Sequence, residues 1–110
     1  MKLPADRLII ARRKLTDYLL VHRQKNDKSI FLLACGFTLN EADALKAALI
    51  HQATTCEILE IYRNDFGLVH EVQGNLTALK GRDMLIVTVW ILRDEGEGLY
   101  EFVTLVPGGK

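Results

Sequence analysis

One change of rhythm constrains this chain more than any other feature. Up to Thr55 the apolar residues recur every three or four positions, and from Cys56 onward they alternate or run together in short blocks. The first spacing belongs to one face of a helix and the second to a strand. Helices followed by strands, joined by short turns, predict an α+β fold. The expected form is two to three N-terminal helices packed on one face of a C-terminal antiparallel meander of about four strands. At 110 residues the chain is one domain's worth, with residues 1–7 and 107–110 as irregular ends.

The local signals fill in this plan. Pro4 marks an irregular start, and "LII" (Leu8–Ile10) fits either a short strand or the lead-in to a helix. "RRKLTDYLLVH" puts Leu15, Tyr18 and Leu19 on one helical face, and "RQKND" is a polar loop. Asp27 is placed to cap a second helix, "KSIFLLACG", which Gly36 stops. Thr38 and Glu41 have the spacing of a capping box for a third helix, about Leu39 to Gln52, with Ala42, Leu45, Ala48 and Leu49 on one face. "EILEIYR", "LVHEVQ", "MLIVTVWILR" and "LYEFVTLVP" read as the strands. "NDFG", Lys80–Asp83 and "DEGEG" read as turns.

Composition excludes several classes. The formal net charge is zero, but residues 1–30 hold eight basic against three acidic residues, a net of +5, which leaves −5 for the remainder. This asymmetry fits either a basic face for an anionic partner or a basic segment packed near acidic strand ends. Cys35 and Cys56 sit beside apolar residues and read as two buried free thiols in a reducing compartment. His22, His51 and His70 are too widely spaced for a zinc motif, so neither a metal nor another cofactor is expected. The start lacks the apolar core of a signal peptide, and no run is long enough to span a membrane. A cytoplasmic protein that does not enter the membrane is expected.

The last hairpin offers the most specific expectation. On "MLIVTVWILR" one face carries Leu85, Val87, Val89 and Ile91, and the other carries Met84, Ile86, Thr88, Trp90 and Leu92. Pairing centred near Gly96 sets Trp90 opposite Phe102, Thr88 opposite Thr104 and Leu92 opposite Tyr100. The aliphatic face suits packing against the helices. The other face, with Thr88, Trp90, Tyr100, Phe102 and Thr104, reads either as a second packed layer or oligomer interface, or as a ligand cleft with aromatic walls. His70 alternates with Leu68 and Val72 and is compatible with either face.

Dinucleotide-binding, P-loop and nucleophile-elbow motifs are absent. Lys28 is the most notable single charge. With Lys25 and Arg23 it is placed to hold a phosphate at a helix N-terminus, or it is an ordinary snorkelling lysine.

"LPADR", "KLTDYLL", Lys28 and Phe31 before "GFT", then "FG", "VW", and a closing "VT" separated by two residues from Pro107 occur in an order that resembles the bacterial domain of unknown function 6883 family. The resemblance covers nearly the whole chain. It implies company with toxin-like and phage-head-like bacterial proteins. The layout is also similar to small ribonuclease toxins of the barnase and RelE kind, which use His, Lys, Arg or Glu on an open sheet face without a metal. Lys28, Trp90 and Thr104 match the family's signature positions. Ser29 stands where Ala is usual, Val106 and His70 stand where Tyr is usual, and the loop before Lys28 is shorter and lacks its His-Pro.

Two functions follow as expectations. One is a metal-independent RNA-cleaving toxin-like enzyme, with His70 as acid and base, Lys28 as phosphate clamp, Thr88 and Thr104 as donors and Trp90 as stacking platform, its partners RNA and a cognate inhibitor protein. The other is a non-catalytic module that forms a homo-oligomer or binds a protein through the Trp90/Phe102 face.

Overall fold

The computed structural model describes residues 1–20 and 29–108, so the expected cap at Asp27 and the charges of Arg23, Lys25 and Lys28 lie outside the described residues. The strands are β1 (Leu8–Ile9), β2 (Ile58–Arg63), β3 (Gly67–Leu76), β4 (Met84–Arg93) and β5 (Tyr100–Pro107). They form one sheet in the order β1-β5-β4-β3-β2. From β2 to β5 it is the expected antiparallel meander. The two residues of β1 add a fifth strand, parallel to Tyr100 and Glu101 of β5, so the sheet is mixed rather than purely antiparallel. A parallel pair needs a long crossover, and here the crossover is the whole helical region together with the meander.

That region comprises a π-helical segment (Lys14–Leu19), α1 (Ser29–Ala34), a 3-10 turn (Leu39–Glu41) and α2 (Ala42–Thr55). Gly36 ends α1 at φ +87°. The Phe37 amide bonds the Leu32 carbonyl at 3.0 Å and the Gly36 amide bonds the Leu33 carbonyl at 2.9 Å, the paired closure of a helix that turns left-handed at its end. A Cβ on Gly36 would lie 2.7 Å from the Lys80 amide nitrogen. The next element starts two residues later with the expected capping box, in which the Glu41 carboxylate accepts the Thr38 amide at 3.1 Å. On α2 the buried face carries Ala42, Leu45, Leu49, Gln52 and Ala53.

The helices cover one face of the sheet, and it is the face expected to lie open. Val72 and Leu76 of β3, Ile86 and Trp90 of β4, and Phe102 and Leu105 of β5 form one core with Leu15, Leu19, Leu32, Leu45 and Leu49. Trp90 and Thr88 are fully buried. The aliphatic face is the outer one. Its floor is Val69, Val87 and Ile91, only 4%, 8% and 5% exposed, because β-branched side chains on neighbouring strands shield one another across the pleat. The inversion has a physical cause. Aromatic rings carry more apolar area than valines do, so covering the Trp90 side removes more surface from water.

The register is also corrected. Trp90 faces Phe102 and Leu92 faces Tyr100 as expected, but past a bulge Val89 faces Thr104 and Thr88 faces Leu105. Val103 is the extra residue, and the bulge turns Thr104 to the outer face.

Candidate functional site

The residues singled out from the sequence divide among three places. Thr88 and Trp90 belong to a buried relay. The Trp90 Nε1–H donates to Thr88 Oγ1 at 2.9 Å, and Thr88 Oγ1 donates to Gln52 Oε1 at 2.8 Å. The Gln52 amide nitrogen donates to the Val72 carbonyl at 3.0 Å. Every polar group in this chain of contacts is satisfied inside the core, as burial demands. Trp90 stacks edge-on against Phe102 with ring centres 5.3 Å apart. Neither Thr88 nor Trp90 has a surface to offer a ligand, which corrects the expected donor and stacking roles. The sequence read Thr88 as a surface hydroxyl because Gln52, its partner, lies 36 positions away on α2.

His70 and Tyr100 also belong to the covered face. His70 pairs with Trp90 across β3 and β4, and its ring meets Tyr100 edge-on at 5.0 Å. It is 5% exposed, and its Nδ1 has no hydrogen-bond partner among the described residues. Burial pushes the imidazole below the ordinary histidine value, against a smaller opposing effect of the nearby Leu68 backbone. Thr104 is half-buried on the outer face, apart from the other four. Lys28 lies outside the described residues, so its relation to His70 does not enter.

The outer face gathers a different set. Between β1, β5 and β4 runs a groove of about 340 Å³, lined by Ile9, Arg13, Lys14, Ile91, Arg93 and Glu101 among others. Its floor is Ile91 and Val103. Arg93 Nε donates to Glu101 Oε1 at 3.1 Å, which fixes a guanidinium and a carboxylate side by side. Lys14 Nζ reaches across the edge of β5 to the Val103 carbonyl at 3.0 Å, where the bulge exposes it. Three cations and one carboxylate thus line one half-open groove. Among the described residues, no three His, Cys, Asp or Glu group closely enough to hold a metal ion. Burial raises the thiol of Cys35 above the ordinary value, with Asp83 adding to it, and that thiol lies in the core.

This set was not among the expected site residues, although its signals were present. Arg93 and Glu101 share outward parity with Ile91, and Arg12, Arg13 and Lys14 are a large part of the basic excess near the N-terminus. Choosing the wrong face hid them.

The family model for the domain of unknown function 6883 matches residues 2–109. No curated protein matches the chain. Among solved structures, a chain of a contact-dependent growth inhibition toxin - immunity protein complex from Klebsiella pneumoniae 342 superposes with a TM-score of 0.69 at 14% identity, covering 90% of this chain and 98% of that one. At that identity the likeness shows a shared fold. No described helix is long and apolar enough to cross a membrane.

Proposed function

The chain belongs to the family of the domain of unknown function 6883, and from that premise we propose that it is a toxin-type domain that cleaves RNA without a metal, in the groove on its outer sheet face. The observation that carries this reading is the convergence of Arg13, Lys14, Arg93 and Glu101 on one groove. The likeness in fold to a chain of a toxin–immunity complex gives it context.

The chemistry needs little else. A ribose 2′-hydroxyl attacks the adjacent phosphorus, and Glu101 takes its proton. The new P–O2′ bond forms as the P–O5′ bond breaks, which leaves a 2′,3′-cyclic phosphate. The departing 5′ oxygen takes a proton from solvent. Arg93 and Lys14 stabilise the charge that builds on the phosphoryl oxygens, and Arg13 holds the neighbouring phosphate. We assign the acid–base work to Glu101 rather than to His70, because His70 is buried on the helix-covered face. A cognate inhibitor protein, in this reading, covers the outer face.

A second reading is a non-catalytic module that binds a protein partner through the same face. Leu85 and Val106, 41% and 37% exposed beside Val87 on that face, favour it. One experiment separates the two. Purified protein is incubated with RNA in excess chelator, and the products are tested for cyclic phosphate ends. Cleavage, with growth arrest on expression, supports the enzyme. Intact RNA and unimpaired growth sink it and leave the binding module, for which size in solution is the readout.

A further inference from the structure

The outer face continues beyond the cationic groove. A second depression, about 370 Å³, shares Ile91, Arg93 and Val103 with the first and extends to Tyr62 and Phe66 at the β2–β3 turn. Arg93 therefore stands where the two meet. Among the described residues its guanidinium donates to Glu101, through Nε.

Phe66 is the unexplained residue here. It is 63% exposed, and its backbone is held firmly. The Asn64 side-chain oxygen accepts the Phe66 amide at 2.8 Å and the Gly67 amide at 3.1 Å, and the Phe66 carbonyl accepts the Asp94 amide at 3.0 Å. Arg63 and Asp94 close the same corner with an ion pair at 2.7 Å. Phe66 also lines a further depression with Arg93, Asp65, Asp94 and Glu95, so carboxylates as well as a guanidinium stand beside its ring. Tyr62, 41% exposed, lines the same depression with its hydroxyl tied to Glu71 at 2.9 Å, which keeps its ring in place.

We infer that Phe66 and Tyr62 form a nucleobase-stacking subsite, so that a single RNA strand lies across the sheet with phosphates over Arg13, Lys14 and Arg93 and a flanking base against Phe66. Aromatic rings beside a cationic track are what unpaired nucleic acid uses, since every base has a stacking face and every linkage a negative charge. Double-stranded RNA buries its base faces and cannot use the rings. The inference rests on the RNA-cleaving reading and adds its substrate class: single-stranded RNA that extends at least one nucleotide beyond the cleaved linkage.

The test uses a short single-stranded RNA with 2′-O-methyl groups throughout, which cannot be cleaved, and measures its Kd for the whole chain, for Phe66→Ala and for Phe66→Trp. Phe66→Ala is expected to weaken binding by roughly 5- to 150-fold, the range for loss of one stacked base. Phe66→Trp keeps or tightens it. A dinucleotide, too short to reach Phe66, binds both variants like the unmodified chain. A duplex of the same sequence binds more weakly than the single strand. If Phe66→Ala cleaves and binds RNA like the unmodified chain, the subsite is overturned while the RNA-cleaving reading stands. If the unmodified chain binds single strands with the expected Phe66 dependence but does not cleave, the catalytic reading falls and the subsite survives. If Phe66→Ala changes only the size of the protein in solution, the ring belongs to a protein interface and the proposal is wrong.

Discussion

Thr88 and Thr104 lie on opposite faces of the sheet, although symmetrical counting about Gly96 sets them opposite each other. Thr88 faces Leu105 inside the core, and Thr104 faces Val89 on the outer face. The one-residue bulge at Val103 does this. It also frees the Val103 carbonyl, which Lys14 then engages at 3.0 Å. One inserted residue thus removes a threonine from the core and anchors a cation beside the groove.

The Thr88 hydroxyl is a pivot, accepting from Trp90 and donating to Gln52. Thr88→Val keeps the shape and removes both bonds, stranding the Trp90 N–H and the Gln52 carbonyl in the core. The expected cost is about 2–4 kcal/mol, since each stranded group forfeits its desolvation compensation. Urea unfolding should show the midpoint falling with an unchanged slope. Any cleavage by the folded fraction should be unaffected. A variant as stable as the unmodified chain would mean that the relay contributes nothing.

His70 makes stability depend on pH. Its folded-state value lies below the ordinary 6.5 because burial disfavours the charged ring. The unfolded chain therefore takes up a proton first as pH falls. Stability from this group is complete above about pH 6.5, declines as pH drops toward the folded value, and levels off below it. His70→Phe keeps an aromatic ring against Tyr100 and cannot titrate. The difference in unfolding free energy between the unmodified chain and His70→Phe should shift in favour of the variant between pH 7 and pH 5. A pH-independent difference would remove His70 as the source.

How much was legible depended on whether a feature was local. Gly36 and the Thr38–Glu41 box act within a few residues, and both were read correctly. The alternation of β4 was equally clear, and it established two faces without saying which one the helices cover. That choice rested on Gln52, whose amide makes a threonine acceptable inside the core. The partner that decides Thr88's environment is on another element, and a single sequence does not display such pairs. The bulge at Val103 is not legible either, since the adjacent apolar pairs Phe102–Val103 and Leu105–Val106 in "EFVTLV" fit either register. The outer groove was missed for the same reason, being assembled from β1, β4, β5 and the segment around Lys14.

Gly74 shows how closely α2 seats on the sheet. A Cβ there would lie 2.2 Å from Cys56 Sγ and 2.8 Å from Cys56 Cβ. Gly74→Ala should destabilise by about 1–3 kcal/mol, the usual cost of overpacking. Cys56→Ala removes only the nearer atom, so combining it with Gly74→Ala should restore part of the loss. The two substitutions should be non-additive in a double-mutant cycle, as contacting residues are. Strict additivity would show that the helix end yields without strain.

Glu101 and Lys14 carry the catalytic proposal, and the fold predicts that Glu101 contributes little to stability. The Arg93–Glu101 pair is half exposed, with side chains 47% and 41% accessible, and such pairs contribute about 0–1 kcal/mol. Glu101→Gln keeps the size and a hydrogen-bond acceptor for Arg93 but cannot take the 2′-hydroxyl proton at neutral pH. Its kcat should fall by about 10²- to 10⁴-fold, the typical worth of a positioned base. Lys14→Met keeps the apolar stem and loses the charge, and should cost about 10²- to 10³-fold in kcat, the scale of one oxyanion donor. Arg13→Ala should mainly raise KM, because it holds a phosphate remote from the reacting centre. Circular dichroism melts should place Glu101→Gln and Arg13→Ala within a few degrees of the unmodified chain, whereas Lys14→Met, which loses its bond to the Val103 carbonyl, should melt lower, and His70→Phe should keep its cleavage rate. Full cleavage by Glu101→Gln, or a rate that collapses in His70→Phe without loss of fold, would return the acid–base role to the covered face and overturn the outer groove as the site.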